Sequence, residues 1–156
     1  MDFKLSAADK NIIIVISEFN EKIIERLLKG AMDAYFHYHG LKENLKIVRV
    51  PGAFEIPGTI QKILISQDSD AIVALGAIIR GETPHFDYVA RESAQGIAEL
   101  SRNARIPIIN GVITTNNVIQ AKARSEVGGR NKGWDSIEAA LQTISVYQKI
   151  FSTSKR

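Results

Sequence analysis

The densest group of chemically useful residues in this sequence follows a long apolar run. Residues 71–79 are apolar, interrupted only by a glycine, and the polar turn 80–84 leads directly to His85. Pro84 suits the first turn of a helix, because the N–H that proline lacks would be unpaired there in any case. The pattern therefore predicts a buried strand, a turn and a helix N-terminus, whose free N–H groups can bind an anion beside one histidine.

Three other predicted strands also end in polar or aromatic residues. These ends are Phe19 and Asn20, then Ala53, Phe54 and Glu55, and finally residues 114–117. An aromatic ring can stack on a planar heterocycle, and a carboxylate accepts hydrogen bonds from ligand hydroxyls. Arg124 would complete the anion site if the short helix before it folds back. The pattern by itself predicts a site for a phosphorylated, planar ligand.

Each of these side chains also has a purely structural interpretation. The aromatic rings could belong to the core, and the carboxylate could complement the dipole at a helix start. The histidine could be a solvated loop residue, and the cations could be ordinary surface charges. Residue types alone leave both interpretations open for Phe19, Phe54, Glu55, His85, Arg124 and Lys132.

Alternating strands and helices must position these groups. Strands are predicted at 12–16, 45–50, 71–79 and 106–114, each followed by a helical pattern, with a long last helix after residue 133. This order predicts a parallel sheet with helices on both faces. We expect one flavodoxin-like α/β domain over residues 1–156, a three-layer α/β/α sandwich around a four-stranded parallel sheet. Residues 1–10 are expected to form a loose arm, and Asn20 is expected to cap the first helix.

Composition excludes several classes of function. The chain has 156 residues, 45% of them apolar and 24% charged, as in an ordinary globular protein. It has no cysteine, which excludes disulfides and thiolate metal sites. Its 20 basic residues alternate with 17 acidic ones instead of forming a stripe, which argues against nucleic-acid binding. No nucleotide-binding glycine motif is present, which argues against a dinucleotide-binding or P-loop protein. No apolar run is long enough to span a membrane, and the N-terminus does not resemble a signal peptide, so we expect a cytoplasmic protein.

Five segments of the chain resemble the 6,7-dimethyl-8-ribityllumazine synthase family. They are residues 17–20, 50–57, 75–89, 111–116 and 131–135, in order and with family-like spacing over about residues 12–148. The resemblance implies a step of riboflavin biosynthesis. In it, 5-amino-6-ribitylamino-2,4-pyrimidinedione condenses with 3,4-dihydroxy-2-butanone 4-phosphate, with release of phosphate and water and without a metal or organic cofactor.

The resemblance implies that most of the strand-end residues bind the pyrimidine substrate. Phe19 would stack on its ring, and Glu55 would accept hydrogen bonds from its ribityl hydroxyls. Ile78 and Ile79 would meet the ring edge through backbone groups. The substrate-binding positions carried over are Phe19, Asn20, Ala53, Phe54, Glu55, Ile56, Ile78, Ile79, Glu82, Thr83 and Asn110.

The resemblance implies that a second set of residues binds the phosphate group and transfers protons. Glu82 and Thr83 lie where the family holds the phosphate, and Arg124 matches its phosphate-binding arginine. His85 matches the histidine assigned to proton transfer, and imidazole can give and take protons near neutral pH. Lys132 matches a lysine that approaches from the neighbouring subunit. The expected catalytic residues are therefore His85, Arg124 and Lys132, with no metal ligands.

The resemblance also implies an assembly. Family members form homopentamers with sites between subunits, and some build icosahedral shells of 60 subunits, so a pentamer is expected here, with riboflavin synthase as a further partner. Asn110 stands where many members place an aromatic that covers the pyrimidine from the adjacent subunit. Residues 125–130 replace the turn found in shell-forming members with a different sequence of the same length, so a shell stays possible and the pentamer is favoured. Two alternatives stay open: a module that binds a flavin or lumazine without turnover, and a structural shell.

Overall fold

Four parallel strands form the centre of the computed structural model, which describes residues 4–153. The strands are β1 (Ile12–Ser17), β2 (Leu45–Val50), β3 (Ala71–Ile79) and β4 (Ile108–Thr115), in the spatial order β2-β1-β3-β4. The helices are α1 (Glu21–His37), α2 (Ile56–Ser66), α3 (His85–Asn103), α4 (Val118–Ala123) and α5 (Lys132–Thr153). Helices α1 and α5 cover one face and α2 and α3 the other. The predicted three-layer, flavodoxin-like architecture is confirmed.

The inner strands are apolar because both of their faces are covered. Every residue of β1 is buried, as are the first eight of the nine residues of β3. Successive side chains of a strand point to opposite faces. The even-numbered isoleucines of β1 therefore pack against α1 and α5, while Ile13 and Val15 pack against α2 and α3. The edge strands are partly exposed, and β2 carries Lys46 and Arg49 in solvent.

The observed strand limits differ from the predicted ones at two strands: β1 ends one residue later, at Ser17, and β4 is shifted. Strands β2 and β3 have the predicted bounds, whereas β4 covers residues 108–115 in place of the predicted 106–114. Pro107 stands immediately before β4 and has no N–H to donate to a ladder, so the strand begins after it. The carbonyl of Pro107 still accepts a hydrogen bond from the N–H of Ile72, which sets the register of β4 on β3.

The N-terminal segment packs against the domain. Ala7 is fully buried, and its N–H donates to the carbonyl of Tyr38 at 2.7 Å. Leu5 packs against the same core as α1 and α5. The expectation of a loose arm is therefore wrong for residues 4–10, because an apolar contact and a backbone hydrogen bond hold them. Residues 1–3 of the expected arm lie outside the described residues.

Two tyrosines at the end of α1 hold neighbouring segments in place through hydrogen bonds from their hydroxyl groups. The hydroxyl of Tyr35 lies 3.0 Å from the carbonyl oxygens of both Lys10 and Leu41. Burial raises the pKa of Tyr35, and the hydrogen bond from the Tyr38 hydroxyl to the Glu138 carboxylate raises the pKa of Tyr38. Both phenols therefore stay protonated near neutral pH and act as hydrogen-bond donors.

Two glycines let α1 and α5 cross at close range. Gly133 lies in the first turn of α5, directly against the backbone carbonyl of Leu27 in α1. Gly30 faces the side chain of Asn131 in the same way. The sequence pattern predicts a loop up to Gly133 before the last helix, but α5 already begins at Lys132. The crossing therefore sets the position of the segment that leads into α5.

Replacing Gly133 by alanine should destabilise the fold. The new methyl group would overlap the Leu27 carbonyl, which belongs to a helix backbone and cannot swing away as a side chain can. Overpacking of this kind lowers the free energy of unfolding by about 1–3 kcal/mol. Urea denaturation measures the change. Gly58→Ala is the matched control, since a methyl group there meets open space and alanine favours the helix. Equal stability of Gly133→Ala and the unmodified protein would contradict the close crossing.

Candidate active site

The larger of the two cavities described here opens at the carboxyl ends of β1, β2 and β3 and has a volume of about 650 Å³. Ligands of parallel α/β proteins bind at this edge, because the strand-to-helix turns gather there. The sequence-predicted residues in its wall are Phe19, Asn20, Ala53, Phe54, Glu55, Ile78, Ile79, Thr83 and His85. Three strand ends predicted separately from the sequence thus form one continuous pocket. Its volume suits a small organic ligand.

Asn20 ties two walls of the cavity together. Its backbone is in the left-handed region, with φ of 69°, and its side chain makes no helix-capping hydrogen bond. The side-chain Nδ2 instead donates to the carbonyl of Ala77 at 3.2 Å. Asn20 therefore occupies the predicted N-cap position of α1, but its side-chain amide does not cap the helix and links the end of β1 to the end of β3. Asparagine tolerates this backbone conformation better than most residues.

The two phenylalanines at the mouth of the cavity are not core residues. Phe19 is 72% exposed and Phe54 is 58% exposed, although both line the cavity. Exposed aromatic rings beside a concave surface are available to stack on a planar ligand. The core interpretation that the sequence left open for these rings is excluded. Ala53 is the buried member of the same loop, so it shapes the wall.

Glu55 holds a loop by a hydrogen bond and also lines the cavity. Its Oε2 accepts a hydrogen bond from the N–H of Gly52 at 2.9 Å, which closes the loop before α2. The same side chain is exposed and lines the cavity, so it can meet a ligand. Ile56 differs from its prediction: it is fully buried in the core between the sheet and α2–α3, and it does not line the cavity. As the first residue of α2, it points inward along the apolar side of that helix.

The turn between β3 and α3 presents donors and His85 to the cavity. The backbone N–H groups of Gly81, Glu82 and Thr83 donate to no acceptor within residues 4–153. Thr83 and His85 line the cavity, whereas the side chain of Glu82 is exposed outside its wall. Free N–H groups at a helix start favour an anion. If Glu82 contacts a ligand, it does so through its backbone, because its carboxylate lies outside the pocket.

Arg80 holds this turn, although it was not among the predicted site residues. Its guanidinium lies 4.5 Å from the ring centre of Phe86, and its Nε donates to Oδ1 of Asn116 at 3.1 Å. Its Nη1 is 3.8 Å from the carboxylate of Asp87. The arginine thus joins the start of α3 to the end of β4. Its position at the end of the longest strand was the signal that could have identified it.

Arg124 and Lys132 line a second cavity, of about 320 Å³, beside edge strand β4. The two cavities share no lining residue. The expectation that Arg124 completes the His85 site by folding back within one chain is therefore wrong. Helix α4 packs mainly on β4, and the cavity that Arg124 and Lys132 line is bordered by that strand. The remaining lining residues are Val112, Ile113, Thr114, Arg130, Asn131 and Asp135.

Asn110 lies in neither cavity. It is exposed on β4, and its Oδ1 accepts a hydrogen bond from the N–H of Val112 at 3.1 Å. Its side chain therefore stands at the open edge of the sheet, where a second chain could meet it.

Arg130 also lines the second cavity, although it is not among the residues predicted from the sequence. Nothing in its local sequence pattern distinguishes it from a surface charge.

Over residues 4–153, no helix has the length and apolar character needed to cross a lipid bilayer. Within the same range, His, Asp and Glu side chains nowhere gather in groups of three that could hold a metal ion.

Comparison with known proteins gives consistent matches over nearly the whole chain. The family model described as 6,7-dimethyl-8-ribityllumazine synthase matches residues 9–148. Proteins with that name from Chloroherpeton thalassium, Chlorobium limicola and Desulfatibacillum aliphaticivorans are 42%, 41% and 43% identical to this chain. These alignments cover 94%, 93% and 93% of this chain, and 94% of each relative.

Proposed function

The chain belongs to the 6,7-dimethyl-8-ribityllumazine synthase family, and from this premise we propose how its own residues carry out the reaction. It is an enzyme of riboflavin biosynthesis. As a transferase, it condenses 5-amino-6-ribitylamino-2,4-pyrimidinedione with 3,4-dihydroxy-2-butanone 4-phosphate and releases phosphate and water. The observation that best supports the assignment of residues is the single cavity that brings His85 together with exposed aromatic rings and a carboxylate.

The larger cavity is proposed to bind the pyrimidine. Phe19 stacks on the planar ring, which its 72% exposure at the cavity mouth allows. Phe54 and Glu55 lie along the ribityl chain, and the carboxylate accepts hydrogen bonds from the hydroxyls. The backbone of Ile78 and Ile79, at the end of β3, meets the ring edge. Binding both substrates in one place supplies much of the acceleration, because it removes the cost of bringing them together.

His85 is proposed to move protons during the reaction. The substrate's own amine attacks the ketone, so the protein needs no nucleophile. The steps that follow, imine formation, loss of phosphate and ring closure, each require a proton to be taken or given. His85 is exposed at the start of α3 and lines the cavity, which supports a role in proton transfer to a substrate bound there. The free N–H groups of the turn before it can hold the leaving phosphate.

Arg124 and Lys132 are proposed to reach the active site across a subunit interface. Both line the second cavity, which shares no residue with the first. A cyclic assembly joins two different surfaces of each chain, so the second cavity of one subunit can complete the first cavity of its neighbour. We propose a homopentamer of about 86 kDa, five times the 17.2 kDa chain, in which exposed Asn110 also faces the neighbour.

Three further properties belong to the proposal. An icosahedral 60-mer is a less favoured assembly, and riboflavin synthase is a candidate partner because it would use the lumazine product. The cytoplasm is the proposed compartment, since a doubly charged phosphate ester does not cross a lipid bilayer unaided. Size-exclusion chromatography separates a pentamer from a shell near one megadalton.

The reaction is tested by mixing purified protein with both substrates and following lumazine absorbance and phosphate release. Equal amounts of the two products, formed faster than in the protein-free reaction, are expected. A folded, assembled protein that binds lumazine tightly without forming either product would instead favour a binding module.

Mixing two impaired variants, assayed at a butanone phosphate concentration below the KM of the unmodified enzyme, tests whether sites form between subunits. His85→Ala and Arg124→Gln each damage every site in their own pentamers. After dissociation and reassembly at equal amounts, about one quarter of the sites should pair an intact His85 with an intact Arg124, if each site uses two neighbouring chains. Activity should then rise to about a quarter of the unmodified enzyme's. Activity that stays at the average of the two separate variants would place each site within one chain.

A further inference from the structure

The segment between α4 and α5 is a small hairpin that presents its cations on one face. Lys132 donates its N–H to the carbonyl of Arg124 at 2.8 Å, and Glu126 donates to the carbonyl of Arg130 at 2.9 Å. Between these pairs, Ser125 and Asn131 form an antiparallel bridge, and both are buried. Successive side chains of a strand alternate between faces. The residues on either side of the bridge therefore share the outward face.

Two features of the hairpin fix this arrangement. Gly128 has φ of +80°, a conformation that glycine adopts without steric cost, and it closes the turn. At the base, Asn131 donates from Nδ2 to the carbonyl of Arg26 at 3.0 Å and accepts from the N–H of Trp134 at 3.1 Å. The hairpin is therefore anchored to both α1 and α5. Arg130 stands next to this anchor and not at the tip.

The cations of this face are exposed and line one cavity. Within residues 4–153, the side chains of Arg124, Arg130 and Lys132 form neither a hydrogen bond nor an ion pair. Two carboxylates are near. Asp135 lines the same cavity, and Glu126 lies opposite Arg130 across the hairpin but turns its carboxylate toward Gly129. Three positive charges and one negative charge thus line a concave site of about 320 Å³.

We propose that Arg130 is a third phosphate-binding cation of this enzyme, acting beside Arg124 and Lys132 on the phosphorylated substrate; the proposal rests on the function proposed above. A phosphate monoester carries up to two negative charges and several acceptor oxygens, so it can engage several cations at once. The planar guanidinium of Arg130 can donate two parallel hydrogen bonds to it. The hydroxyl of Thr114, in the wall of the same cavity, is a further donor.

The test compares Arg130→Gln and Arg130→Lys with Arg102→Gln, a matched substitution at an exposed position near the end of α3. Steady-state kinetics give kcat and the KM of each substrate, and calorimetric titration gives the Kd of inorganic phosphate. Arg130→Gln should raise the KM of the butanone phosphate and the Kd of phosphate about five- to tenfold, because charged hydrogen bonds are lost. Arg130→Lys should show smaller increases in both constants, since lysine keeps the positive charge but cannot donate two parallel hydrogen bonds from one planar group.

The control variant and the KM of the pyrimidine should not change. Unchanged phosphate affinity and unchanged KM of the butanone phosphate in Arg130→Gln would overturn the proposal, while turnover by the unmodified protein would leave the proposed function standing. If the unmodified protein forms no lumazine, the proposed function fails. The phosphate titration then still decides the role of Arg130 by itself, because it does not depend on turnover.

Discussion

His85→Ala should lower kcat about 10²–10⁴-fold, the usual effect of removing a general acid–base group. The imidazole lies in the wall of the larger cavity, at the start of α3. No other histidine lines either cavity. Each proton transfer would then depend on water, which is not held in position and is both a weaker acid and a weaker base. Lumazine absorbance under saturating substrates measures the loss.

The fold and the assembly should survive this change. Among the described residues, the His85 side chain has no hydrogen bond or ion pair to lose, and it is exposed. Circular dichroism and size-exclusion chromatography check both properties. His37→Ala is the matched control, because His37 packs near Trp134 at the far end of α1 and should leave kcat unchanged. A kcat for His85→Ala equal to that of the unmodified enzyme would remove His85 from the mechanism.

Arg124→Gln should raise the KM of the butanone phosphate about 10- to 100-fold. A hydrogen bond to a charged group contributes about 1.5–3 kcal/mol, and each 1.4 kcal/mol is a factor of ten. The hairpin should persist, because Arg124 supports it only through backbone groups: its carbonyl accepts from Lys132 and its N–H donates to Ala121. Steady-state titration of each substrate in turn separates the two KM values.

The result that tests this role is the difference between the KM changes of the butanone phosphate and of the pyrimidine. Arg124→Lys, which keeps the charge without the bidentate geometry, should fall between Arg124→Gln and the unmodified enzyme. The KM of the pyrimidine should be nearly constant in both variants, because the residues proposed to bind its ring and ribityl chain lie in the other cavity. An increase confined to the pyrimidine KM would show that Arg124 does not bind the phosphate.

Much of the fold follows from patterns that are local in the sequence. The bounds of β2 and β3 agree with their apolar and β-branched runs, and the alternation of strands and helices implies the parallel sheet. Residues at strand ends could be placed at one edge of that sheet, because parallel strands all end on the same side. Phe19, Glu55 and His85 were therefore assigned to one pocket, and the larger cavity contains all three.

Several residues could not be placed by local pattern. Asn20 follows a strand and precedes a helix, as a capping residue does, yet its amide bonds to Ala77, 57 positions away. Ile56 belongs to a motif full of site residues, but the packing of α2 against the sheet buries it in the core. Phe19 and Phe54 are as apolar as core residues, so their exposure at the cavity could not be predicted from residue type and became clear only from the tertiary structure.

By itself, the sequence determined the elements, their parallel order and the residues at the strand ends, because periodicity and turn chemistry depend on neighbours along the chain. Only the tertiary structure decided that Arg124 and Lys132 lie in a second cavity and that Arg130 lies there with them. That outcome depends on contacts distant in sequence: α4 packs on β4, and Gly133 lets α5 cross α1 against the carbonyl of Leu27. These contacts bring Arg124, Arg130 and Lys132 together beside β4, and no local pattern specifies them.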